Sequence, residues 1–224
     1  MTRFIQRTLP CAAAVAAVLL AGCAAPVKTD YTALRAAKPA SILVLPPVND
    51  STDIKASFSM LSHATYPLAE GGYYVMPVTL VNETFQQNGM SVATDMHEVP
   101  VAKLKEIFGA DAALYIKITK YGTTYTVLSS AAVVSAEARL VDLSSGTLLW
   151  SGRASASSDE NNNNSGGGLA GLLVAAIVKQ IMNNVTDASH TVAGVTSTRL
   201  LSSGTPNGLL YGPRSPRYGK DNTN

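Results

Sequence analysis

The chain predicts an α/β fold of the mixed α+β kind, a single domain whose front half alternates strand with helix and whose back half is an antiparallel meander. Two patterns carry this. Before Gly109, short apolar runs bounded by Pro or Gly alternate with stretches whose apolar residues fall at helical spacing. From Leu114 onward, apolar residues recur at every second position, as they do on a half-buried strand. With 224 residues, 46% of them hydrophobic, the chain can bury the core of one ordinary domain without staples.

Residues 1–22 read as an export signal. Arg3 and Arg7 form a positive start, and the apolar run from Cys11 to Ala21 is shorter than the roughly 20 residues of a permanent span. The run ends in Leu20-Ala21-Gly22-Cys23, which resembles the lipobox of bacterial lipoproteins. The resemblance implies cleavage between Gly22 and Cys23, with acyl chains such as palmitate carried on Cys23 as the one covalent group and no other cofactor. Several chains exceed what stable anchoring requires, since each buried methylene contributes roughly 0.8 kcal/mol. Cys11 leaves with the signal, so the mature chain has no second cysteine with which to form a disulfide. Ala24 follows the Cys where an Asp would resemble an inner-membrane retention signal, which favours a lipid-anchored, periplasm-facing place on the outer membrane.

Residues 23–40 carry Pro26 and Pro39 and no sustained period, and are expected to form a lipidated tether. The domain is expected over residues 41–204. It begins with the buried strand Ser41–Leu45, closed by Pro46-Pro47. Asp53 to Glu70 places Ile54, Phe58, Leu61 and Leu68 near helical spacing, with a bend, break or restart expected at Pro67. Gly71-Gly72 ends that helix, and Tyr73–Met76 is a second short strand. Thr79 can cap a third piece with Val81 and Phe85 on one face and Gly89 beyond it, and Pro100 opens a helix stopped by Gly109.

In the back half, Leu114, Ile116 and Ile118 share one strand face. After a turn near Ser129-Ser130, Val134, Ala136, Ala138 and Leu140 share another, with Ser135, Glu137 and Arg139 on its wet side. Asp142–Thr147 is a hairpin connection, and Leu148-Leu149-Trp150 starts the return strand. Residues 159–168 form a polar low-complexity loop. Leu169 to Met182 is an apolar helix, continuing with breaks toward Leu200; its all-round apolarity suits a core helix or a close subunit contact. Residues 205–224, with Pro206, Pro213 and Pro216, are expected to be an irregular tail.

The chemistry on offer is sparse. A net charge of +2 gives no case for nucleic acid. Both surplus charges belong to Arg3 and Arg7, which leaves the mature side chains at 15 Lys+Arg against 15 Asp+Glu. No nucleotide loop, nucleophile elbow or paired CxxC is present. Asp95, His97 and Glu98 are the one local group with metal-binding chemistry, and they lack a second His or Cys for a tetrahedral set. His63 and His190 stand alone in predicted helices. Tyr115, Tyr121 and Tyr125 line one strand face if its register is unbroken; that face is a candidate partner interface or, more simply, packs beneath a helix.

The lipobox, Ile42–Pro47, Tyr66-Pro-Leu-Ala-Glu…Gly-Tyr-Tyr-Val-Met-Pro77, Asn82–Phe85, Phe108-Gly-Ala-Asp111, the Asp142…Trp150 hairpin and Leu210-Tyr-Gly-Pro213 together resemble a family of bacterial lipoproteins typified by a neisserial surface-antigen candidate. More distantly the chain is similar to the periplasmic domain of the curli secretion channel, the N-terminal domain of TolB and the lipoprotein activators of penicillin-binding proteins. The resemblance implies helices packed on a mixed sheet that ends in the meander. It also implies a non-enzymatic scaffold or transport-accessory role, as a homodimer or beside a curli-channel-like lipoprotein or other envelope complex. The alternatives are a pore-forming subunit of such a complex, built from the long strands, and a periplasmic hydrolase. Labelling with an acyl-chain probe tests Cys23: the wild-type chain is expected to take up label and Cys23→Ser to lose it, whereas a labelled Cys23→Ser would contradict the lipobox reading.

Overall fold

The computed structural model describes residues 28–125, 130–160 and 187–221. Over these the chain runs α1 (Thr32–Ala37), β1 (Ser41–Val44), β2 (Val48–Asn49), α2 (Ala56–Glu70), β3 (Tyr74–Val75), α3 (Val78–Gln87), α4 (Ala93–His97), α5 (Val101–Phe108), β4 (Ala112–Tyr125), β5 (Ser130–Asp142), β6 (Leu148–Ser157) and α6 (Ala188–Leu201). Cys23, residues 126–129 of the expected turn, the loop to residue 168 beyond Glu160 and the apolar run Leu169–Met182 lie outside the described residues.

The strands form one mixed sheet in the order β3-β1-β4-β5-β6, with β2 also on β4. β1 lies parallel to β3 and β4, and β4–β5–β6 is the antiparallel meander. Because β1 is apolar at successive positions, it buries both faces. Ile42 and Val44 enter a core with α1, α2 and α6, while Leu43 and the following Leu45 enter a second core with α3, α4 and α5. Asp111 joins the starts of β1 and β4: its Oδ2 accepts from the amides of Ala40 and Ser41 and from Ser41 Oγ, at 2.9–3.0 Å. Burial alone would raise its pKa, but those donors and then Lys105 outweigh it and hold the carboxyl below its ordinary value.

α2 runs unbroken through Pro67, where the sequence predicts a bend, break or restart. Proline cannot donate to the carbonyl four residues back, that of His63. Ser197 Oγ of α6 donates to that carbonyl instead, at 3.0 Å, so the last turn of α2 keeps its geometry. The start of α2 and its approach depart from expectation more sharply. Leu61 and Leu68 are buried, but Ile54 is 88% and Phe58 63% exposed.

Both ends of the predicted domain need correcting. Residues 31–40 are folded rather than tether: Tyr31 and Leu34 of the α1 region enter the core, and Tyr31 Oη donates to the Gly208 carbonyl at 2.7 Å. The tail after residue 204 is irregular in backbone, yet it buries Leu209 and Leu210. Trp150 Nε1 and Tyr73 Oη hold the carbonyls of Asn207 and Leu210, and the amides of Gly212 and Arg214 bond the carbonyls of Gly71 and Gly72. Gly72 sits at φ +91, where a Cβ would meet the Ser215 backbone at 2.4 Å. That Gly-Gly therefore ends a helix and also seats the tail. α4 is a short helix fixed by buried Met96, and α3 starts at Val78, with Pro77 rather than Thr79 at its N-cap position.

Candidate functional site

Between Lys55 and Glu70, α2 carries no Asp, Glu, Lys or Arg. One stripe of it packs inward through Met60, Ala64 and Leu68, and the opposite stripe presents Phe58, Ser62 and Tyr66 to solvent at i, i+4 spacing. Tyr66 is 69% exposed. An uncharged aromatic stripe of this kind on a charge-poor domain is the composition of a protein–protein contact surface. Beside it, Ile54, Phe58 and Ser62 form one side of an open depression of about 460 Å³, bordered by Tyr121 and His190, with Ser59 also in its lining.

A polar network lies under this depression. Tyr121 Oη donates to Ser59 Oγ at 3.0 Å, and Ser59 Oγ shares a hydrogen bond with His190 Nδ1 at 2.8 Å. The His190 ring packs on His63, centroids 4.5 Å apart and tilted by 40°. Burial, and next the neighbouring His190, hold the His63 pKa below its ordinary value, and its Nε2 is buried without a hydrogen-bond partner. A Ser–His contact invites comparison with a nucleophile and its base, which needs a third group to orient the imidazole. Asp187, the carboxylate of this region, instead accepts from the His190 backbone amide at 3.2 Å as the cap of α6, and lies 3.8 Å from Lys55 Nζ. The Ser59 hydroxyl is buried between two partners. The arrangement acts as a polar lock joining α2, β4 and α6 beneath an apolar surface.

The structure separates the three tyrosines of the sequence reading. Pairing of β4 with β5 shifts between Ile118 and Lys120, so Tyr121 faces the side opposite Tyr115. Tyr115 is buried in the α3–α5 core with the His97 ring edge-on at 5.2 Å, and Tyr121 is buried in the α2–α6 core. Tyr125 alone is open, 80% exposed at the far end of β4. No common tyrosine face exists; the bulge and the two helical layers remove it. Asp95 and Glu98 stay exposed while His97 Nε2 bonds the Pro46 carbonyl at 2.9 Å, and among the described residues no three His, Cys, Asp or Glu side chains gather as a metal site. The alternating face of β5 packs under α6, where Thr196 Oγ1 donates to the Val134 carbonyl at 3.2 Å. No helix among the described residues is long and apolar enough to cross a membrane.

The elements and their order define a mixed α/β domain with helices on both faces of one sheet. The chain belongs to the family described as "Putative lipoprotein GNA1162-like", which matches residues 29–214. It is 48% identical over 185 residues, 83% of this chain and 85% of the relative, to "Putative lipoprotein NMB1124/NMB1162" of Neisseria meningitidis serogroup B. Among solved structures it is similar to lipoprotein GNA1162 from Neisseria meningitidis, at 54% identity and a TM-score of 0.53, covering 65% of this chain and 100% of that one. A PelC dodecamer from Paraburkholderia phytofirmans is similar at 15% identity and a TM-score of 0.43, covering 78% of this chain and 91% of that one.

Lowered pKa values at His63 and at His97, the latter held down chiefly by burial, set a pH dependence. Both rings stay neutral in the folded chain and take up protons when unfolded near pH 6.5, so the unfolded state binds more protons just below that pH. Stability is complete above about pH 6.5 and declines as pH falls toward the folded values. Thermal unfolding is expected at a lower Tm at pH 5.5 than at 7.5, with a smaller drop in His63→Gln. Equal wild-type Tm values would contradict this account.

Proposed function

We propose that the protein is a non-enzymatic scaffold, lipid-anchored to the outer membrane and facing the periplasm, that serves as an accessory of an envelope transport or secretion complex and works as a homodimer. The single observation that carries this is the uncharged, aromatic outer face of α2, left open on a folded domain that follows a lipobox in the sequence. Charge-poor surfaces dock by shape and apolar contact, and an equal count of 15 acidic and 15 basic mature side chains provides little long-range steering. Membership of a lipoprotein family supports the anchored part of the reading. The lock beneath the face supports its use as a rigid platform, because the helices that present it are tied to the sheet by Tyr121 and Ser59.

The test places a photo-crosslinking residue at Phe58 in the full chain in intact cells, with the same residue at Lys103 on α5 as the reference. Phe58 is expected to capture a second copy or a protein of an envelope transport assembly, in the outer-membrane fraction, and Lys103 to capture neither. Equal capture at the two positions, or recovery of the chain away from the outer membrane, would contradict the proposal.

A further inference from the structure

We infer that the outer face of α2 is a two-fold, antiparallel contact between two copies of this chain. The inference rests on the docking reading of the same face and names its occupant. The stripe reads Lys55, Phe58, Ser62, Tyr66 and Glu70, and it is self-complementary when reversed. An antiparallel partner centred on Ser62 sets Ser62 against Ser62, Phe58 against Tyr66 and Tyr66 against Phe58. It also sets Lys55 opposite Ala69, one residue from Glu70 of the other copy, so the two long charged side chains can meet at each end. The acidic and basic residues that bound the helix stretch are thus opposite in sign where two copies meet, and each ion pair forms twice.

The surface relief agrees with this register. Small Ser62 at the centre lets the helices approach, and the aromatic residues stand to either side of it. The depression bordered by Phe58, Ser62 and His190 has room for the Tyr66 ring of the other copy, an aromatic anchor in a pocket. Phe58 and Tyr66 are open to receive it. Lys55 remains available, because its contact with Asp187 is a long one of 3.8 Å between exposed groups. The helix of 15 residues spans about 22 Å, a modest contact, and anchoring both copies in one membrane plane raises their effective concentration.

Oxidative crosslinking of the full chain in isolated envelopes tests this. Ser62→Cys is expected to give a disulfide dimer of two chains, while the wild-type chain and Lys103→Cys on the opposite side of the sheet give none. Phe58→Asp added to Ser62→Cys is expected to lower the dimer at least tenfold, without loss of fold because Phe58 is largely exposed. Glu70→Lys added to Ser62→Cys is expected to lower it several-fold, and the reversal Lys55→Glu with Glu70→Lys to recover part of it. No Ser62→Cys dimer, or one unaffected by Phe58→Asp, overturns the inference. Linkage of the thiol introduced by Ser62→Cys to another protein, or mass-spectrometric protection of Phe58 by residues 169–182 of the same chain, also overturns the second-copy assignment. Linkage to another envelope protein would leave the docking reading standing.

Discussion

The seam between α2 and α6 holds the main core closed, and the rest of the molecule is arranged around it. α6 arrives last in the sequence and covers the apolar face of the meander, contributing Val192, Ala193, Leu200 and Leu201 to the same core as Ile42, Leu114 and Leu140. Its polar residues are placed to finish other elements. Ser197 completes α2 at the carbonyl that Pro67 leaves open, and Thr196 bonds a β5 carbonyl. Gly194 permits the approach, since a Cβ there would stand 3.2 Å from the His63 ring. A hydroxyl buried without a partner would cost about 1–3 kcal/mol, so these bonds define one register for the seam rather than adding much net stability.

The two ends of the chain depend on that closure. The segment after α6 can strap across Gly71-Gly72 only because α2 ends in regular geometry, and Tyr31, Tyr73 and Trp150 then hold three tail carbonyls. The β6 edge is managed from the same helix: Arg199 donates to the Ser155 carbonyl at 2.9 Å and pairs with Glu160 at 2.6 Å, while Glu160 accepts from the Ser157 amide. Side chains thus occupy backbone groups that would otherwise recruit another strand. Among the described residues the outer stripe of α2, with Phe58 and Tyr66, stays exposed.

Much of this was legible in the sequence. Period-two alternation located the meander, and Pro100 and Gly109 bracketed α5, because these signals depend on local stereochemistry. The illegible parts depend on residues far apart in the chain. Pro67 read as a bend, break or restart because its compensating donor, Ser197, lies on another helix. Ile54 and Phe58 fall near helical spacing with Leu61 and Leu68 yet stay exposed, because such spacing does not say which stripe meets the sheet. The tyrosine face failed at a single residue, Thr119, whose bulge reverses every side chain that follows it. His63 and His190 looked isolated, and only the packing of α2 on α6 brings them together with Ser59. The spacing of Ser59 and His63 at i, i+4 on α2 was the one local hint.

The most direct test of the central claim is a double-mutant cycle on unfolding free energy between Pro67→Ala and Ser197→Ala. With Pro67 present, Ser197→Ala leaves the His63 carbonyl without its donor and is expected to cost about 1–3 kcal/mol. With alanine at 67, the helix supplies its own amide to that carbonyl, and the cost of Ser197→Ala is expected to shrink to a few tenths of that range. The same cost in both backgrounds would contradict the account, showing that α6 does not complete α2.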